Sequence, residues 1–474
     1  MFLRIVLLLA WLACDAVATP SPFARFNFSW AAMPTQAFPG AASRLMTPSE
    51  VDGFTRNFSS LMIWGLGATC LNTTDNVTTF PAFCAGSWCQ CMPGPQGVDL
   101  ELQRFVTNME TNLQAQGAAL KAAAAAQGVV RPVLGYIDHM SPQQYFAAQN
   151  ALREDAALGG YRATLASLGG APIDCMSPTR GGCCEQGSEF AIYNFSDPAV
   201  VAYFAQEVVG GLIDGPGLDG TFLDSIDVRR RGAHAPINTL VWYSFTAALT
   251  PPPPPPTPHP LPRQWALTFG CGNRWVCTPA ERDGLVNGSL AALDAALAYA
   301  GGRGKVLSVS AHTNLFFDPW YYEAQLALLV AHGNAWRFYE GFDVSNRSLA
   351  TYLYETQGLN VTGAGAAPAA TNYSVPVMMH TYNSPTRVPD WLELAAFLLG
   401  ANENSFFSCS EGWDLTSFPL FPEYARPLGA PRGVVVNASA AGGVSTAYTR
   451  EFEHVSVKVT EDARGAWNAY LTWH

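Results

Sequence analysis

Short runs of apolar and β-branched residues recur along this chain, most of them closed by a polar residue or a glycine. They lie at 25–30, 60–65, 131–138, 220–224, 305–312, 335–340, 374–382 and 405–410. Runs of this length and composition predict strands. Between them the apolar positions return every three or four residues, predicting helices over 100–127, 142–154, 198–212, 286–299, 319–332 and 389–399. The 198–212 segment has good start chemistry: Ser196 or Asp197 can cap it, and Pro198 suits the first helical position. Strand and helix in repeated alternation predict an α/β protein of the (β/α)8 TIM-type barrel class. An extended run at 189–194 competes for a place in the register. The rival architecture is an open doubly wound sheet, but no G-x-G-x-x-G follows a first strand, which weakens its dinucleotide-binding form.

The alternation is interrupted twice. Residues 69–97 carry Cys70, Cys84, Cys89 and Cys91 with sequons at Asn72 and Asn76, and read as a stapled, glycosylated loop. Residues 229–282 contain Pro251 to Pro256 in succession and further prolines to Pro262, a polyproline II excursion that cannot pack into a barrel. The barrel is therefore expected over 19–430. Beyond it the period changes: 448–460 alternates, with Phe452, Val455, Val457 and Val459 among charged partners, and 468–473 can add a second strand. A short β appendage over 431–474, packed on the barrel, is the expectation.

The chain start changes the picture of compartment. Residues 1–18 have the form of a secretory signal, with Arg4, an apolar stretch over 5–13 and Ala16-Val17-Ala18 as a cleavage site. That stretch is too short to span a bilayer, and no later segment predicts a membrane helix. Ten N-x-S/T sequons, at Asn27, Asn57, Asn72, Asn76, Asn194, Asn287, Asn346, Asn360, Asn372 and Asn437, agree with passage through a glycosylating lumen. Of eleven cysteines, Cys14 leaves with the signal, and an even number in an oxidising compartment points to disulfides. Cys84, Cys89 and Cys91 lack the paired spacing and nearby histidines of a metal site. The expected product is secreted.

With 26 basic residues against 37 acidic ones and a net charge of −11, the chain lacks the basic surface that nucleic acid requires. Hydrophobic residues make up 49% and charged ones 13%, enough apolar material for a large core. The 12% of aromatics suits stacking surfaces as well as packing.

Barrel enzymes place their chemistry at the C-terminal ends of strands. Leu218-Asp219-Gly220-Thr221-Phe222-Leu223-Asp224-Ser225-Ile226-Asp227 ends its apolar run on Asp224, which shares parity with Phe222 and Gly220, whereas Asp219 precedes the strand on the stability face. Ala335-Trp336-Arg337-Phe338-Tyr339-Glu340 repeats the logic with Glu340. Two carboxylates at one mouth are what glycosidic cleavage needs: one protonates the departing oxygen, the other attacks the anomeric carbon or activates water. Asp138, Asp227, His312, His380 and Tyr382 end or follow other runs, and Trp64 stands at the end of the second; these are candidates for binding sugar hydroxyls and rings. No metal or cofactor is called for.

Three segments resemble a glycoside-hydrolase-like (β/α)8 barrel family. Tyr193-Asn194-Phe195-Ser196-Asp197-Pro198, a helix, and the D-G-T-F-L-D of Asp219 to Asp224 follow one another as in such barrels. Phe338-Tyr339-Glu340-Gly341-Phe342 is similar to the later strand that brings a glutamate to the site, and Tyr448-Thr449-Arg450-Glu451-Phe452-Glu453-His454 to a strand that commonly follows the barrel. The likeness runs from Phe26 to Val459 and is strongest between Asn194 and Asp227; the polyproline excursion and cysteine-rich loop depart from it. It implies a glycosidase-type barrel with Asp224 at the catalytic strand end. The expected function is a secreted glycoside hydrolase acting on a polysaccharide or glycan, with Asp224 and Glu340 catalytic. A non-catalytic carbohydrate-binding barrel and an extracellular-matrix protein are the alternatives.

Overall fold

The computed structural model describes residues 30–38, 46–63, 100–139, 148, 167–168, 171–172, 193–224, 228–230, 265–267, 279–310, 319–344, 346–358, 375–382, 391–410, 420–437, 446–462 and 464–474. Eight parallel strands form one sheet in sequence order: β1 (Gln36–Ala37), β2 (Ser60–Met62), β3 (Val133–Asp138), β4 (Gly220–Asp224), β5 (Val306–Ser310), β6 (Ala335–Tyr339), β7 (Val377–Tyr382) and β8 (Phe406–Ser410). The sheet closes through a parallel bridge between Thr35 and Phe407, with the Phe407 amide donating to the Pro34 carbonyl at 2.7 Å. Following paired neighbours once around from Phe222 returns to the line of β4 eight residues short of the start. A shear of eight in eight strands is the (β/α)8 TIM barrel.

Helices cover the outside: α1 (Pro48–Asn57), α2 (Leu100–Ala126), α3 (Pro198–Tyr203, continuing through a π-helical segment Phe204–Val209 into Gly210–Ile213), α4 (Pro279–Gly301), α5 (Pro319–His332), α6 (Asn346–Gln357) and α7 (Trp391–Gly400). Asp197 caps α3, its side chain accepting from the Ala199 amide at 2.9 Å, with Pro198 in the first turn as its sequence requires. Strand residues alternate between two cores. Phe38, Met62, Leu134, Tyr136, Phe222, Val306, Trp336, Phe338, Met378 and Phe406 form the buried cluster inside the barrel. Leu61, Val133, Ile137, Leu223, Leu307 and Val309 pack outward against the helices.

The N-terminal face is clamped by Asp219. Its carboxylate accepts from the Val133 amide at 3.0 Å and from Lys121 at 2.7 Å, tying β4 to β3 and α2. Gly220 follows because a Cβ there would sit 1.8 Å from the Val306 carbonyl oxygen.

Several expectations are corrected in detail. The first barrel strand is Gln36–Ala37 rather than 25–30; Trp30 instead turns out of line at φ 54°, and 25–29 lie outside the described residues. A two-residue strand carries too short an alternation to stand out. Of the run at 189–194 only Tyr193 and Asn194 are among the described residues, and neither belongs to a strand of the eight-stranded sheet. Helix α1 was unexpected despite a capping box in which Thr47 and Glu50 satisfy each other's amides. Helix α6 was also unexpected, because Thr351, Glu355 and Thr356 are buried in it and blur the apolar period. The segment 448–460 is a hairpin rather than one strand, since the chain reverses at Phe452, whose amide donates to the Val455 carbonyl. The expected helix at 142–154 lies outside the described residues apart from 148.

The C-terminal appendage is a four-stranded antiparallel sheet of β9 (Val436–Asn437), β10 (Thr446–Glu451), β11 (Val455–Glu461) and β12 (Trp467–Trp473). Tyr448, Val455, Val457 and Val459 pack with α7 and the outer face of β7 and β8. Arg450 fixes the join: its Nη1 donates to the carbonyls of Leu398 and Leu399 at 3.1 Å and to that of Ala401, the unsatisfied acceptors at the end of α7. Burial lowers its guanidinium pKa to about 10, which still leaves it charged at neutral pH. The start of the proline-rich insertion pairs antiparallel with a strand beyond its proline run, Val228–Arg230 with Trp265–Leu267.

Arg450→Ala strips three buried carbonyls of their donor, so an equilibrium denaturation should show about 2–4 kcal/mol less stability. Retention of wild-type stability would show that the sheet docks through its apolar face alone.

Candidate active site at the barrel mouth

The shear that closes the barrel sorts inward side chains into layers drawn from alternate strands. The floor contains Trp336 and Phe406, 5.7 Å apart by ring centroid, with Ser60 and Gly220 at the other positions of that layer. Above it Gln36 and Ser308 both direct a polar atom at the Met378 sulfur, at 3.4 and 3.5 Å. Phe222 and Phe338 then meet at 4.5 Å, on strands two apart. Phe38, Tyr136, Ser310 and His380 make the next layer; Phe38 stacks edge-on against His380 at 5.0 Å.

Asp224 ends β4 and Glu340 directly follows β6, each two residues beyond Phe222 and Phe338, and both are half-buried. The contact between the two rings below brings the two carboxylate positions to one side of one mouth. Strands two apart are separated by about 9–10 Å of backbone. From there, inward-reaching side chains can span either the ~5 Å of a retaining pair or the ~6.5–9.5 Å of an inverting one.

The Asp224 carboxylate has a partner, and the backbone at Glu340 is fixed by a turn. Tyr136 Oη donates to Asp224 Oδ2 at 3.0 Å, and the Asp224 carbonyl accepts from the His139 amide at 2.9 Å. Glu340 begins a tight turn in which Gly341 has φ 59°, a left-handed conformation costly to other residues. The turn is pinned where the Phe342 amide donates to the His380 carbonyl at 2.9 Å and the Phe342 ring meets Tyr339 at 5.5 Å. Behind β6, Arg337 Nε bonds Glu355 at 3.1 Å and its Nη1 bonds Gln325 at 3.1 Å, while Tyr339 Oη donates to Glu355 at 2.6 Å. This fully buried ion pair locks β6 to α5 and α6.

The remaining candidates divide. Asp138 stands beside Asp224 in register and is buried, close enough to the Tyr193 phenol to help burial push it upward. His380 is in the layer below the carboxylates and fully buried. Tyr382 is the last residue of β7. Trp64, Asp227 and His312 lie outside the described residues. Other aromatics are placed elsewhere: Trp30 packs on Phe452 of the C-terminal sheet at 5.7 Å, and Trp320 is exposed on α5. Phe38 and Ser310 entered no sequence expectation; their signal is the two-residue spacing from other inward positions. Among the described residues no group of acidic, histidine or cysteine side chains could hold a metal ion, and no helix is long and apolar enough to cross a membrane.

No protein-family profile matches the chain, and no curated protein matches it by sequence. Solved structures with a similar course include an acarbose-soaked debranching enzyme of Nostoc punctiforme, at 9% identity and TM-score 0.39 over 92% of this chain and 90% of that one. A sucrose complex of a MutB mutant follows at 10% identity and TM-score 0.37, over 92% and 91%. The trehalulose synthase MutB of Pseudomonas mesoacidophila MX-45 gives 9% and 0.34, over 92% and 90%. Likeness this remote leaves the fold to be read from the strand pairing itself.

Burial lowers the pKa of both His139 and His380 to about 3, so both are neutral in the folded chain. Their unfolded counterparts take up protons below the ordinary value of 6.5. Stability is therefore undiminished above that value and falls between pH 6.5 and 3, by up to about 1.4 kcal/mol per pH unit for each histidine. Urea titrations across this range should show the slope, and His139→Asn should make it shallower; an unchanged slope would remove His139 as a source.

Proposed function

We propose that the protein is a secreted glycoside hydrolase that cleaves glycosidic bonds of a polysaccharide or glycoprotein glycan with paired carboxylates. The observation that supports this reading is the Phe222–Phe338 contact, which joins β4 and β6 two residues before Asp224 and Glu340. Glu340 is the general acid: it gives its proton to the glycosidic oxygen as the bond to the anomeric carbon breaks. Asp224 attacks that carbon, or as a base takes a proton from the water that does. Asp138, Asp227, His312, His380, Tyr382 and Trp64 are assigned to gripping the sugar or tuning the carboxylates. This chemistry is done by side chains and water, without nucleic acid or membrane as partner. Secretion is supported by the form of residues 1–18 and by sequon residues Asn57, Asn287 and Asn437, all exposed.

Asp224→Asn and Glu340→Gln should each lower kcat by about 10²–10⁴-fold on a natural glycan. The Glu340→Gln loss should shrink on aryl glycosides whose leaving group needs no proton. Reducing-sugar release from a panel of polysaccharides, N- and O-glycans and aryl glycosides reads both. If the wild-type chain retains glycans and cleaves none of the panel, it is a binding barrel and the hydrolase assignment is lost.

A further inference from the structure

We infer that Tyr136 is the positioning residue that holds the Asp224 carboxylate in its reactive orientation, an assignment that rests on the hydrolase reading above. Tyr136 points into the barrel one layer beneath the mouth, and 1% of its surface is exposed. Its ring is fixed by packing on Phe222 at 5.8 Å, two residues before Asp224 on the same face of β4. From that seat its hydroxyl crosses from β3 to β4 and donates to Asp224 Oδ2 at 3.0 Å.

The arrangement separates two demands on Asp224. Its backbone is set by the β3–β4 ladder, in which Asp138 is its register partner and the His139 amide bonds its carbonyl. A ladder does not fix the rotation of a terminal carboxylate, which is broad and two-fold. A charge-assisted O–H···O⁻ bond from a buried, packed phenol does. With Oδ2 anchored at the wall of the barrel, the carboxylate plane is set relative to the mouth. Asp138 on β3 is the register partner of Asp224, and Ser310 on β5 and His380 on β7 lie buried in the layer beneath. Tyr136 Oη reaches Asp224 Oδ2 at 3.0 Å. Misorienting a nucleophile costs rate while substrate binding, made elsewhere, survives.

Tyr136→Phe keeps the ring and deletes the hydroxyl. In the full chain it should lower kcat by about 10–100-fold and leave KM within about twofold. Its thermal midpoint should stay within a few degrees of wild type. In an Asp224→Asn background, where the charged acceptor is gone, the same change should cost little more. Independently of any turnover, the ¹³C carboxyl resonance of Asp224, identified by its loss in Asp224→Asn, should shift in Tyr136→Phe. An unshifted resonance, or an unchanged kcat in a wild-type chain that does cleave glycosides, overturns the inference. A shifted resonance in a wild-type chain that cleaves nothing keeps the Tyr136–Asp224 contact and overturns only the hydrolase reading.

Discussion

Closure of eight parallel strands at a shear of eight is the constraint on which the site depends. It obliges alternate strands to share layers, so residues far apart in sequence become neighbours at the axis. Phe222 and Phe338 touch because β4 and β6 are two strands apart and the tilt brings them level. The same tilt carries the next inward positions, Asp224 and Glu340, upward together. A flat sheet with the same strands would hold these residues on a line, with nothing drawing them toward one axis.

The D-G-T-F-L-D stretch shows how much of a motif can be architecture. Asp219 clamps β4 to β3 and α2 on the stability face, Gly220 makes room for β5, Phe222 fills the barrel and Leu223 packs outward. Only Asp224 reaches the mouth. Glu340 is prepared differently, by a left-handed glycine after it and by the buried Arg337–Glu355 pair behind it. A buried ion pair is costly to desolvate and returns little net stability, but it has one satisfied geometry. Here Tyr339 and Gln325 complete that geometry, so β6 has a single seat against α5 and α6.

The C-terminal sheet is joined to the barrel by a similar economy of polar contacts. Apolar residues of β10 and β11 supply area, and Arg450 supplies direction by closing the carbonyl end of α7. One side chain thus answers both an orphaned helix terminus and the orientation of a sheet.

Sequence alone determined the alternation, seven of the eight strands, the parity of Asp224 with Phe222 and the start of α3, with its cap narrowed to Ser196 or Asp197, because each is a local property of a few consecutive residues. It missed β1, which is too short to show a period, and α6, whose buried Thr351, Glu355 and Thr356 mask one. The tertiary structure decided which residues share a layer, that His380 is sealed below the carboxylates, and that Tyr136 reaches Asp224. Those outcomes depend on the stagger between strands, and stagger is set by closure of the whole ring, which no single stretch of chain encodes.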